Sequence, residues 1–393
     1  MMFVPSKCAW SPLLALMLLA SCAKADASRP GEWTEARAQE DARVNALIES
    51  GRFDAALRIA DSLVAAGEDD ARVLAQRARS LAGLSREKEA IAAFETSLLK
   101  DYESCETHLH FATYLMRMGK TGRAETEFNE AKLFCDTARY PLIYRNLAVA
   151  ALKQGKRDDA LRYADEGLRI TPREPYLSGI KGMLIADENP IEAETLFVRS
   201  QAAEGKTSDF LVQYGLLLIN GGRPAEAIVV LEKALSYEPD NREIKLFLSE
   251  ALDRAGRSAE AETILNEQLA AWAEPEVRMR LARVLFHERK YEEALSIYHG
   301  LDESAEVMDR IAMCNHQLGR SNEALRWARK AVAAAPDWPQ GMINLAVILA
   351  ARGELVEAAK TLERVLGLEP DNVGVRADLE RINRALEDVK RRR

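Results

Sequence analysis

Apolar residues recur along the chain at helical spacing, in pairs of short amphipathic stretches. Met342-Ile343-Asn344-Leu345-Ala346-Val347-Ile348-Leu349 is one such stretch, and Leu362 and Val365 continue an apolar face in the next. Apolar positions three and four apart share one side of a helix, so this pattern predicts helices and gives no alternation that would call for strands. Between the two stretches of a pair lies a recurring phrase of glycine, a basic or polar residue, two variable residues, an acidic or polar residue, and alanine. It reads Gly51-Arg52-Phe53-Asp54-Ala55-Ala56 and returns at Gly119 to Ala124, Gly155 to Ala160, Gly222 to Ala227, Gly256 to Ala261, Gly319 to Ala324 and Gly353 to Ala358. Degenerate copies without the glycine run Ser85 to Ala90, Glu188 to Ala193 and Arg289 to Ala294.

The step from Gly222 to Gly256, and from Gly319 to Gly353, is 34 residues, and Pro336 and Pro370 repeat at the same step. Each position has a physical reason. Glycine permits a tight interhelical turn. The small alanine lets the second helix approach the first. Proline ends the second helix, as Pro172 and Pro239 do in their own copies.

Period and phrase together resemble the tetratricopeptide repeat (TPR). The resemblance implies an all-α TPR solenoid, a right-handed superhelix of about ten helix-turn-helix repeats, because one helix pair cannot bury both faces alone. It covers residues 37–372. The units run approximately 37–70, 71–104, 105–138, 141–174, 175–207, 208–241, 242–274, 275–304, 305–338 and 339–372, with the fifth uncertain in phase and the eighth short. Residues 373–393 read as a capping helix with a basic tail, Lys390-Arg391-Arg392-Arg393, whose cations suit a helix C-terminus.

The first residues have a different character. Lys7 precedes the apolar run Leu13 to Ala20, which is too short to span a bilayer but has signal-peptide length. Leu19-Ala20-Ser21-Cys22 follows and resembles the lipobox of bacterial lipoproteins. That resemblance implies cleavage after residue 21, lipidation of Cys22, and firm anchoring by several acyl chains. Ala23 follows where an aspartate often retains Gram-negative lipoproteins in the inner membrane, so the expected location is the outer membrane, facing the periplasm. Residues 22–36, with Pro30 and Gly31, read as a lipidated tether.

Composition narrows the partner class. The net charge is −8 and no basic block lies within the body, which argues against nucleic acid. Gly119-Lys120-Thr121 and Gly205-Lys206-Thr207 lack the upstream glycine of a phosphate-binding loop, since Tyr114 and Ser200 stand there. Cys105, His108 and His110 cluster in sequence, but the two histidines point to different faces of a helix, so a metal site is not expected. No arrangement suited to nucleophilic or acid–base catalysis is found, and no cofactor or small-molecule substrate is expected. Cys105 opens the first helix of the third unit and Cys135 ends the second. Two readings stay open for them: a disulfide closing one hairpin, or two small buried thiols. Cys314 reads as a core thiol.

Family resemblance places the first helices on the inner wall, where extended peptides or helices bind. Asn146 and Asn344 fall at the sixth place of their units, where an amide suits a peptide backbone, and Arg145, Arg280, Arg283 and Arg310 suit carboxylates. The fixed cation and asparagine set of carboxylate-clamp co-chaperones is not in phase here. With its leader, the array is similar to TPR lipoproteins of type IV and tight-adherence (Flp) pilus assembly and of exopolysaccharide secretion. A lipid-anchored scaffold for an envelope machine is therefore the expected function. A recruiting scaffold for peptidoglycan enzymes, or a cytosolic regulator with an uncleaved leader, are the alternatives.

Overall fold

A computed structural model describes residues 35–201, 208–272 and 274–392. The leader, Cys22, and Gly205-Lys206-Thr207 lie outside the described residues. Twenty-one α-helices, and no strand, are present among the described residues. The chain divides into two compact units at residue 205.

In the first unit, five helix pairs follow one another: α1 (Glu35–Glu49) with α2 (Phe53–Ala65), α3 (Ala71–Gly83) with α4 (Glu87–Lys100), α5 (Cys105–Arg117) with α6 (Thr121–Phe134), α7 (Tyr140–Lys153) with α8 (Arg157–Ile170), and α9 (Pro175–Ile185) with α10 (Pro190–Ser200). The second unit holds five more: α11 (Ser208–Asn220) with α12 (Pro224–Tyr237), α13 (Arg242–Arg254) with α14 (Ser258–Ala271), α15 (Pro275–His287) with α16 (Tyr291–His299), α17 (Ala305–Gln317) with α18 (Ser321–Ala334), and α19 (Pro339–Ala351) with α20 (Leu355–Leu368). Helix α21 (Val373–Arg392) closes the chain and packs on α20.

The recurring phrase explains the turns. Gly353 adopts a φ of 83°, in the left-handed region where a side chain is costly. Two degenerate copies keep that conformation without glycine: Ser85 has φ 59° and Arg289 has φ 63°. The backbone there is held by the packing of the two helices, at a strain of order 1 kcal/mol each. The basic residue of the phrase then starts the second helix and pairs with its first turn. Arg86 meets Glu89, Arg223 meets Glu226 and Arg257 meets Glu260, each at 2.6 Å. The acid also suits the positive end of the helix, though such exposed pairs add little stability.

Alanine ends the phrase because nothing larger fits. Ala56, Ala90, Ala124, Ala160, Ala193, Ala227, Ala261, Ala294, Ala324 and Ala358 are all fully buried. Gly215 shows the same closeness from the opposite helix, since a Cβ built there would lie 2.7 Å from Leu231.

First helices begin differently. Asp70 accepts hydrogen bonds from the backbone of Arg72 and Val73 at the start of α3, and Asn241, Ser104 and Ser304 cap α13, α5 and α17 in the same manner. Pairs join through aromatic and aliphatic layers. Phe94 of α4 stacks on Phe111 of α5 at 4.9 Å, and both are essentially inaccessible. The eighth pair is short because α16 has only 9 residues before Gly300.

Candidate interaction surface

Within each unit the second helix of a pair packs against the first helix of the next, and consecutive first helices approach one another more closely than consecutive second helices do. First helices therefore form the tighter, inner wall of each unit. Their polar side chains meet across one repeat, about 34 residues apart.

In the first unit, Gln76 Nε2 donates to Asp41 Oδ1 at 2.6 Å and Arg79 to Asn45 Oδ1 at 2.9 Å. Arg117 reaches the Ala82 carbonyl at 3.0 Å and Arg139 reaches Glu106 at 2.8 Å. In the second unit, Arg280 binds Glu250 at 3.0 Å and Glu276 at 3.1 Å, and lies over the Phe247 ring. His287 Nδ1 meets Asp253 at 2.8 Å, and Arg283 lies 3.8 Å from the same carboxylate. Arg310 stands 4.0 Å from Glu306.

The two asparagines read as backbone clamps differ. Asn344 Nδ2 donates to Asp309 Oδ2 at 2.8 Å while its Oδ1 accepts from Gln340 at 3.1 Å, so both ends of that amide are used within the protein. Asp309 itself is 1% exposed, and its Oδ1 has no hydrogen-bond partner among the described residues. Burial pushes its carboxyl up to about 6, although the Asn344 hydrogen bond and the nearby Arg310 charge favour the anion. Asn146 is 6% exposed and its side chain makes no hydrogen bond among the described residues. Its neighbour Arg145 lies over the Tyr176 ring, 4.6 Å from the centroid.

Sequence reasoning picked out Arg145, Arg280, Arg283 and Arg310 but missed Arg79, Arg117, Arg139, Asp41, Asp253, Asp309 and Tyr176. The signal was present: each polar partner stands close to 34 residues from the group it meets. What the pattern could not reveal is which of two candidate partners a long side chain chooses.

Cys105 and Cys135 are joined by a disulfide, with Cα atoms 5.0 Å apart, so the structure takes the first of the two readings. Beside it, His108 is buried with Nδ1 2.8 Å from Glu127 and Nε2 2.8 Å from the Tyr102 carbonyl, and its ring stacks on Phe134. His110, on another face of α5, pairs with Glu106 at 3.4 Å. The cysteine and histidine cluster thus ties the open end of the α5–α6 hairpin. Among the described residues, no group of three His, Cys, Asp or Glu side chains is arranged to hold a metal. Cys314 is fully buried and burial pushes its thiol up to about 12. No described helix is long and apolar enough to cross a membrane.

Comparison with known proteins places this geometry. Solved structures to which the chain is similar include that of Pseudomonas aeruginosa PilF (17% identity, 55% of this chain and 98% of that one, TM-score 0.48). Another is a tetratricopeptide repeat protein from Parabacteroides merdae (16% identity, 62% of this chain and 98% of that one, TM-score 0.43). Among curated proteins, the human protein O-mannosyl-transferase TMTC1 is 26% identical over 198 residues, which is 47% of this chain and 22% of that protein. The chain thus matches about a fifth of that relative's length. Models of the tetratricopeptide repeat match residues 42–103, 109–175, 218–274 and 315–373, together more than half of the chain. With ten helix pairs built on the recurring turn phrase, the chain belongs to the tetratricopeptide repeat family.

Proposed function

We propose that this protein is a lipid-anchored scaffold that holds a subunit of an envelope machine, such as a pilus or polysaccharide-secretion system, at the outer membrane. The observation that carries the reading is the coexistence of a lipobox-like Leu19-Ala20-Ser21-Cys22 with an array of helix pairs that presents a polar inner wall. Such arrays are protein–protein interaction scaffolds. Anchoring raises the local concentration of whatever the wall binds, which is a passive way of promoting assembly. The Cys105–Cys135 bridge favours an oxidising compartment such as the periplasm over the cytosol.

The test is in-cell crosslinking followed by capture from membranes and mass spectrometry, with Cys22→Ala as the control. Capture of a secretin, pilus or polysaccharide-export subunit that depends on Cys22 supports the proposal. Capture of peptidoglycan enzymes alone replaces it with a wall scaffold. An intact Met1 on the protein recovered from a soluble fraction contradicts the anchor.

A further inference from the structure

At one edge of the first unit the second helices end and the first helices begin. Contacts across repeats line these ends up. Arg37, at the start of α1, meets Asp70 at the start of α3 at 3.3 Å, and Lys100, the last residue of α4, meets Asp69 at 3.0 Å. Arg139, just before α7, meets Glu106 in the first turn of α5 at 2.8 Å. This edge also carries apolar side chains that the fold does not use. Leu99 of α4 is 87% exposed, Leu133 of α6 69% and Ile170 of α8 45%. Each is the last or next-to-last residue of its helix, and the three helices are consecutive second helices. Single exposed apolar residues are ordinary, but recurrence at one place in three successive repeats makes a strip. Tyr102, half-exposed, lies at the same edge with its ring edge-on to His108 and Phe134.

We propose that this edge of the first unit rests in the surface of the membrane that holds the lipidated Cys22, with Leu99, Leu133 and Ile170 entering the headgroup–acyl boundary of zwitterionic lipid. The proposal rests on the anchor reading.

Four features choose this occupant. The chain toward Cys22 leaves α1 at Glu35, on this same edge, and the twelve residues between them reach no further than about 45 Å whatever their conformation. A lipidated Cys22 therefore keeps this edge close to acyl chains, while the opposite edge stands one helix length away, about 20 Å. The composition suits an interface: Lys100 adjoins Leu99, Lys132 adjoins Leu133 and Arg169 adjoins Ile170. Long cationic side chains lay their stems along apolar surface and keep the charge among headgroups, and a tyrosine ring belongs at the same depth. Acids stand among these cations, Asp69, Asp101, Glu103, Glu130 and Asp136, and Lys100 and Arg139 are paired, so the edge has no cationic excess to favour anionic lipid. Finally, three side chains fall well short of the about 800 Å² per partner of a stable protein interface, which weighs against a second copy.

The experiment uses the mature lipoprotein, purified from membranes and reconstituted in phosphatidylcholine vesicles, with Leu133→Cys carrying the polarity-sensitive dye NBD. Among the described residues that thiol is the accessible one, because Cys105 and Cys135 are bridged and Cys314 is buried. The matched control is Ile191→Cys, which replaces an apolar residue that is 82% exposed at the start of α10, on the opposite edge. Flotation with the vesicles reports the anchor. The expected result is blue-shifted emission at Leu133 that brominated phosphatidylcholine quenches, with neither effect at Ile191. Leu99→Gln with Ile170→Gln, both at the surface, is expected to remove most of that quenching while flotation is unchanged. Floated protein with an unquenched Leu133 label, equal quenching at both positions, or quenching that survives the double substitution overturns the surface and leaves the anchor standing. A blue shift that brominated lipid does not quench means cover by protein and overturns it too. Quenching that requires added phosphatidylglycerol overturns the choice of zwitterionic lipid. Protein that fails to float overturns the anchor and this surface with it.

Discussion

Asp309 sits in an environment that opposes its ordinary chemistry. It is enclosed between repeats, with one carboxylate oxygen held by Asn344 and the other unpartnered among the described residues. Its carboxyl, pushed up to about 6 by burial, lies above the ordinary 3.8. The folded chain therefore holds that proton more tightly than the unfolded chain. The stability this contributes is complete below about pH 4 and is lost as pH rises through about 6. Asp309→Asn removes the titrating group. Between pH 4 and pH 7.5, the parent should lose on the order of 1–3 kcal/mol relative to the variant. Melting curves of both across that range decide it, and parallel pH profiles would rule the effect out. Little of this was visible in the sequence. An aspartate on an inner-wall face reads as solvated, and its burial depends on the side chain that the next repeat sets over it. The ten phrase alanines were fully legible, because a small residue at a fixed offset from a turn has one structural use.

At the scale of elements, the α5–α6 hairpin has two fastenings at its open end: the bridge from Cys105 to Cys135, and the ring of His108 held between Glu127 and the Tyr102 carbonyl. The bridge closes a 30-residue separation, for which loop-closure entropy corresponds to about 2–4 kcal/mol. Because each repeat contacts only its neighbours, the effect should stay local. In the double variant Cys105→Ser, Cys135→Ser, amide hydrogen exchange is expected to accelerate in α5 and α6 and to stay unchanged in α13 and α14. Uniform acceleration, or none, would show that the bridge does not stabilise this hairpin. The antiparallel placement of helix ends made the pairing a visible option, but two cysteines at the ends of a hairpin are equally compatible with separate buried thiols, and only the 5.0 Å Cα approach distinguishes them. Turn conformation was similarly half-legible. Glycine announces a left-handed turn, whereas Ser85 and Arg289 adopt one because the helices on either side impose it.

For the whole molecule, repetition is what the sequence carries best. A 34-residue period, a fixed phrase and terminal prolines specify ten helix pairs, five in each unit, and a final helix, whereas the occupancy of each inner-wall position depends on cross-repeat pairing that no single repeat encodes. Asn344 and Asn146 occupy equivalent places, yet the amide of Asn344 is consumed by Asp309 and Gln340 while that of Asn146 makes no hydrogen bond among the described residues. The central claim is that partners engage the inner wall. It is tested most directly by placing a photo-crosslinking residue at Val149, on the inner face of α7, or at Leu133, an exposed residue of α6 that is 69% accessible, in the anchored protein in living cells. A discrete high-mass adduct from Val149 and none from Leu133 is the predicted result; adducts from Leu133 alone would contradict it.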